Sequence, residues 1–214
     1  MEHYFWHDRW NSNRIGFHEG KPNALLVQHF AALGVPARGR VFVPLCGKTR
    51  DIAWLLSRGC RVAGAELSEL AIRQLFEELG LEPEVTDLGD LKRYSAAGID
   101  IFVGDIFALT PALLGPVDAV FDRAALVALP EAMRPKYASH IAALTGDAPQ
   151  LLICFEYDQS KFDGPPFSID RSEVQRCYGG HHELVRLAAV EAAGGMRGTA
   201  ATEAVWLLRR SRGR

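Results

Sequence analysis

Short apolar runs rich in β-branched residues recur along this chain, each followed by a turn and then a stretch with helical spacing. That alternation is the pattern of a parallel sheet covered by helices. The strand-like runs are Arg40 to Pro44, Arg61 to Ala65, Ile99 to Gly104, Val117 to Asp122 and Leu151 to Tyr157. A first helix is expected from Pro22 to Leu33, with Leu26, Phe30 and Leu33 on one face and Gly34 as its stop. Another ends at Ser57 before Gly59. Ser68 caps a third, in which Ala71, Leu75 and Leu79 recur every four residues before Gly80. Pro135 opens a fourth, and Asp170 with Glu173 reads as a capping box. Two later runs, His182 to Val190 and Thr202 to Leu208, are spaced for a hairpin bent near Gly194-Gly195, which adds antiparallel edge strands.

With 214 residues, 48% hydrophobic and 23% charged, the chain fits one domain over 1–214 and excludes intrinsic disorder or a coiled coil. No apolar run approaches the ~18 residues of a membrane span. The opening residues lack a basic stretch leading into an apolar one, so the expected compartment is the cytoplasm. Four of the 24 basic residues, Arg209, Arg210, Arg212 and Arg214, lie in the last six positions, leaving 20 basic against 26 acidic groups elsewhere. A body of that sign repels phosphate backbones and argues against nucleic acid; residues 209–214 read as a frayed basic tail. Cys46, Cys60, Cys154 and Cys177 form no CxxC pair and are expected as buried free thiols. Cys177 with His181 and His182 lacks a closing ligand pair, so no metal is expected. Nothing calls for more than a monomer.

In open α/β sheets ligands bind at the carboxyl ends of the strands, where strand order reverses. Leu45-Cys46-Gly47-Lys48 follows the first strand. Glu66 follows the second, nineteen residues beyond Gly47, a spacing suited to a carboxylate that accepts hydrogen bonds from a ribose diol. Asp105 follows the next, and Asp122-Arg123 the one after. Each has an alternative: Glu66 as a helix cap, Asp105 as a turn residue, Asp122-Arg123 as a structural ion pair. A nicotinamide dinucleotide needs a glycine-rich turn against its pyrophosphate, and only Gly47 is present. S-adenosylmethionine has no phosphates, needs the ribose acid and tolerates this turn.

Tyr4, Phe5, Trp6, Trp10 and Phe17 crowd a polar, aperiodic segment, and residues 1–20 are expected to cover a ligand pocket as a lid. The alternative is a segment packed on the sheet edge. His3 and His7 read as solvated.

Several strings together resemble the thiopurine S-methyltransferases, in their bacterial branch. They are Val43-Pro-Leu-Cys-Gly-Lys-Thr-Arg-Asp51, Val62-Ala-Gly-Ala-Glu-Leu-Ser-Glu-Leu70, Asp105-Ile-Phe107 and Phe121-Asp-Arg-Ala-Ala-Leu-Val127, with Gly164-Pro-Pro-Phe167 and Phe5-Trp-His-Asp-Arg-Trp10. The blocks keep their order to about residue 180. The resemblance implies a seven-stranded, mostly parallel class I methyltransferase sheet and S-adenosyl-L-methionine as methyl donor. It places Trp10, Leu45, Gly47, Glu66, Asp105, Ile106 and Arg123 on the donor. Glu66 would hold the ribose, and Asp105 and Ile106 would flank the adenine. Phe17, Arg123, Pro165 and Pro166 would face the acceptor, a small aromatic or heterocyclic thiol, or a related selenium or tellurium compound. Arg123, permanently charged, is the residue expected to favour a thiolate. Two other classes are a nicotinamide oxidoreductase and a non-catalytic sensor of adenosyl ligands.

Overall fold

The computed structural model describes residues 3–16, 18–180, 182–192 and 194–211, with the side chain of His3 left aside. Among these described residues, nine strands form one sheet in the order β3-β4-β5-β2-β1-β6-β7-β9-β8. They are β1 (Arg40–Pro44), β2 (Arg61–Glu66), β3 (Glu84–Asp87), β4 (Lys92–Ala96), β5 (Ile99–Val103), β6 (Ala119–Arg123), β7 (Gln150–Tyr157), β8 (His182–Glu191) and β9 (Ala201–Arg210). The five central strands β5, β2, β1, β6 and β7 are parallel. An antiparallel pair flanks them on each side, β3–β4 against β5 and β9–β8 against β7. The expected seven strands thus become nine, because the β3–β4 hairpin escapes the sequence pattern. Its residues are mostly exposed or half-buried, with Tyr94 the one buried residue on the two strands, so no apolar alternation marks it.

Alternation along the central strands sends neighbouring side chains to opposite faces. Val41, Val43, Val62, Ile99, Ile101 and Phe121 pack on one face with residues of α2 (Ala24–His29), α3 (Arg50–Ser57) and α4 (Glu69–Leu79). Phe42, Ala63, Phe102, Val120, Leu152 and Trp206 pack on the other with α6 (Arg134–Thr145) and α7 (Arg171–Tyr178), which follow the one-turn α5 (Pro111–Leu114). Strands buried on both faces read as continuous apolar runs, which is why these five were visible in the sequence. All four cysteines are free and buried.

Local chemistry sets the boundaries. Asn23 caps α2 by accepting from the N–H groups of Leu25 (2.9 Å) and Leu26 (3.2 Å), so Pro22 stands before the cap rather than inside the helix. The last turn, Phe30–Leu33, tightens to a 3-10 helix and ends at Gly34. Asp170 accepts from Glu173 N at 2.8 Å. The Glu173 carboxylate turns instead to Arg134 (2.9 Å) and Arg176 (2.6 Å), so half of the capping box forms. Arg209 and Arg210 belong to β9, paired with Glu183 and His182, which corrects the expectation of a frayed tail there; residues 212–214 lie outside the described residues.

The aromatic N-terminal segment is not aperiodic: His3–Asn11 forms the helix α1. Its Trp6, Arg9 and Trp10, spaced i, i+3 and i+4, share the face that lines a cavity at the carboxyl end of the sheet. A helix whose covered face looks onto a cavity carries no apolar stripe, and so gives no amphipathic signal.

Candidate active site

Strand order reverses between β1, whose neighbour on one side is β2, and β6 on the other. Above the carboxyl ends of these strands lies a cavity of about 470 Å³. Of the ten residues expected at the site, nine can be placed. Trp10, Leu45, Gly47, Glu66, Asp105, Ile106, Arg123, Pro165 and Pro166 all line this cavity; Phe17 lies outside the described residues.

The turn after β1 builds one wall. Leu45 (φ 46°) and Gly47 (φ 52°) both occupy the left-handed region. This folds the turn so that Gly47 N–H donates to Glu66 Oε2 at 2.8 Å, while Ser68 N–H donates to Oε1 at 2.8 Å. Burial pushes the Glu66 carboxyl above its ordinary range, against the pull of N–H groups from Ser68, Gly47 and Leu67. Two backbone donors fix the carboxylate, and each oxygen keeps accepting capacity toward the cavity. The helix-cap reading of Glu66 therefore holds only for its bond to Ser68. Trp10, 5% exposed, covers the turn. A Cβ on Gly47 would lie 3.0 Å from Trp10 Cζ2, so this position needs glycine for the close approach as well as for its φ.

Asp105 ends the next strand and caps the 3-10 turn Ile106–Ala108, accepting from Phe107 N–H at 3.0 Å. Its turn role is present, on the cavity wall.

Asp122 and Arg123 do not pair, contrary to the structural ion-pair alternative. Asp122 is buried in the sheet and accepts from Tyr137 Oη at 2.7 Å and Gln150 Nε2 at 3.3 Å. Burial lifts its carboxyl to about 6. Arg123 points into the cavity and forms an ion pair with Glu19. Its side chain is 11% exposed, and its Nε has no hydrogen-bond partner among the described residues.

Farther along, Tyr157 Oη donates to Pro166 O at 2.5 Å and Phe167 N–H donates to Val127 O at 2.6 Å. These bonds pin the Pro165-Pro166 loop beside the turn that follows β6. Trp6, expected among the aromatic residues that cover the pocket, lines it, whereas sequence reasoning did not single out Arg9, His18, Glu19, Met196 and Arg197. Met196 and Arg197 arrive from the bend between β8 and β9, distant in sequence from every motif. Arg197 Nη2 donates to Pro165 O at 3.4 Å, and its guanidinium lies 5.0 Å from the Phe162 ring centroid. His18 is held below its ordinary value by burial and by Lys48, so it is mainly neutral at pH 7.

This arrangement provides a fixed carboxylate after β2, a second acid after β5, aromatic cover, and a cation at the far end. It is suited to an adenosine-bearing ligand with a soft or anionic partner alongside. Comparison with known proteins agrees. The family model described as thiopurine S-methyltransferase matches residues 1–211. Among curated proteins, a thiopurine S-methyltransferase of Xanthobacter autotrophicus is 60% identical over 213 residues, 99% of this chain and 100% of that one. Another, of Teredinibacter turnerae, is 52% identical over 99% of both chains. Among solved structures, the 1,6-didemethyltoxoflavin-N1-methyltransferase of Burkholderia thailandensis with bound S-adenosylhomocysteine is 18% identical with a TM-score of 0.66, covering 97% of this chain and 86% of that one. Magnesium protoporphyrin IX methyltransferase of Synechocystis is 16% identical with a TM-score of 0.64, over 97% and 100%. At such identities these two structures establish the class I methyltransferase fold.

Proposed function

Since this chain belongs to the thiopurine S-methyltransferase family and is an S-adenosylmethionine-dependent S-methyltransferase, we propose that the cavity binds the donor along the strand ends and methylates the sulfur of small aromatic or heterocyclic thiols. Adenine lies by Asp105 and Ile106, the ribose on Glu66, and the sulfonium end near Leu45, Gly47, Trp10 and Arg123. The acceptor lies between Arg123 and the Pro165-Pro166 loop. The observation that carries this reading is Glu66, held by Gly47 and Ser68 at the end of β2 with its carboxylate on the cavity.

The donor supplies an activated methyl group. The chain's own residues bring the acceptor into line with it, and alignment alone contributes on the order of 7–11 kcal/mol. Aromatic thiols are partly ionised near neutral pH, and Arg123 favours that anion without any need to remove a proton itself. The thiolate sulfur takes the methyl carbon as the bond to the sulfonium breaks, leaving a thioether and S-adenosylhomocysteine. Selenium and tellurium nucleophiles, softer still, are further acceptors for the same geometry. In this reading the whole chain acts as one domain and as a monomer, on small molecules in the cytoplasm; among the described residues no helix is long and apolar enough to cross a membrane.

The test is a labelled-methyl transfer screen over aromatic thiols, aliphatic thiols, selenite and phenols. Transfer to aromatic thiols far above the rest is expected. Transfer to phenols but no thiol would overturn the reading.

A further inference from the structure

Among the described residues, four cationic side chains line the cavity: Arg9, Lys48, Arg123 and Arg197. Three have an anionic or carbonyl partner. Lys48 Nζ donates to Glu78 Oε1 at 2.9 Å, Arg123 is paired with Glu19, and Arg197 reaches Pro165 O. Arg9 differs. Its guanidinium lies 4.7 Å from the Phe5 ring centroid, its Nε is buried without a hydrogen-bond partner, and it has no carboxylate partner among the described residues. A buried guanidinium N–H left without an acceptor costs free energy that a bound anion would recover.

The position of Arg9 indicates which anion. Going along the sheet, β5 carries Asp105, β2 carries Glu66, and β1 comes next. A donor with adenine on Asp105 and ribose on Glu66 therefore has its amino-acid end over the turn after β1. That turn is covered by Trp10, whose indole touches Gly47, and Arg9 precedes Trp10 on the same cavity-lining face of α1. We propose that Arg9 is a donor-binding residue which takes the α-carboxylate of the methionyl end of S-adenosylmethionine. The assignment rests on the donor placement given above. It gives α1 a specific role: the helix reads the charged end of the cofactor and separates the intact donor from adenosine compounds without an amino acid.

The experiment is calorimetric binding to the full chain of two probes, S-adenosylhomocysteine and 5′-methylthioadenosine. Both keep adenosine and sulfur, and only the first has the carboxylate. Arg9→Gln should weaken S-adenosylhomocysteine about ten- to a hundredfold, the range for a hydrogen bond between charged groups. Its affinity for 5′-methylthioadenosine should change less than twofold. Arg9→Lys, which keeps the charge and loses the planar fork, should fall between wild type and Arg9→Gln. Equal losses for both probes would make Arg9 a packing residue of α1 and overturn the inference. So would unchanged binding of both with a raised KM for carboxylate-bearing thiols, which would place the anion on the acceptor. Glu66→Gln tests the underlying placement separately, since it should weaken both probes. If it weakens neither, the donor placement fails; if it weakens both while Arg9→Gln acts on neither, only the Arg9 assignment fails.

Discussion

Asp122 and Arg123 are neighbours on β6 and face opposite sides of the sheet: the aspartate is buried against Tyr137, while the arginine lines the cavity and pairs with Glu19. Strand geometry enforces the separation, because successive side chains alternate. One residue therefore bears on stability and the other on chemistry.

For Asp122 the consequence is a pH dependence. Its carboxyl rises from the ordinary 3.8 to about 6, chiefly through burial. Between those values the folded chain holds a proton that the unfolded chain has released, so stability falls as pH rises through that window. The size is about 3 kcal/mol at most. Asp122→Asn removes this dependence. Urea denaturation at pH 4 and pH 7 should show the variant gaining on wild type at the higher pH; a constant difference would exclude the assignment.

For Arg123 the consequence lies in acceptor choice. Specificity constants over thiols of graded acidity, at saturating donor, should drop for Arg123→Lys and further for Arg123→Ala, most steeply for the acidic aromatic thiols. Losses uniform across the series would leave Arg123 as a positioning residue for the donor.

Replacing Glu66 by Ala should reduce affinity for S-adenosylhomocysteine at least tenfold, since each ribose bond to a carboxylate contributes roughly 1.5–3 kcal/mol. Circular dichroism should still report a folded chain. An unchanged dissociation constant would sink the ribose assignment.

Helix α1 should be a lid that tightens on the donor. It is a single helix of nine residues whose Trp6 and Trp10 look onto the cavity, so its protection depends on what fills the space beneath it. Hydrogen exchange in this helix should slow when S-adenosylhomocysteine is added. Equal protection with and without ligand would make it a fixed structural element.

Gly47→Ala should weaken donor binding more than it destabilises the fold. The new methyl meets Trp10 and the backbone strain at φ 52° costs on the order of 1 kcal/mol. Calorimetry beside thermal unfolding separates the two effects; a large stability loss with intact binding would contradict it.

What the sequence revealed follows from how each part is buried. The central strands carry apolar runs because helices cover both faces, so Glu66, Asp105 and Arg123 could be located simply as the residues at their ends. The β3–β4 hairpin has little to bury, and α1 faces a cavity, so neither produces a period. Met196 and Arg197 reach the site only because β9 returns to β7, a pairing more than forty residues distant in sequence; no local signal encodes that. Arg9 stood inside a recognised string, yet its significance needed the missing partner at its Nε.

The insertion of β9 between β7 and β8 affects how the chain is made. Every other strand leaves the ribosome first, and until residues 201–210 follow, β7 presents an open edge and β8 has no place in the sheet. Trp206 and Leu208 also complete the core beside α6 and α7. Until β9 is added the chain therefore holds an unfinished, apolar sheet, whose β7 edge is open to pairing with other strands.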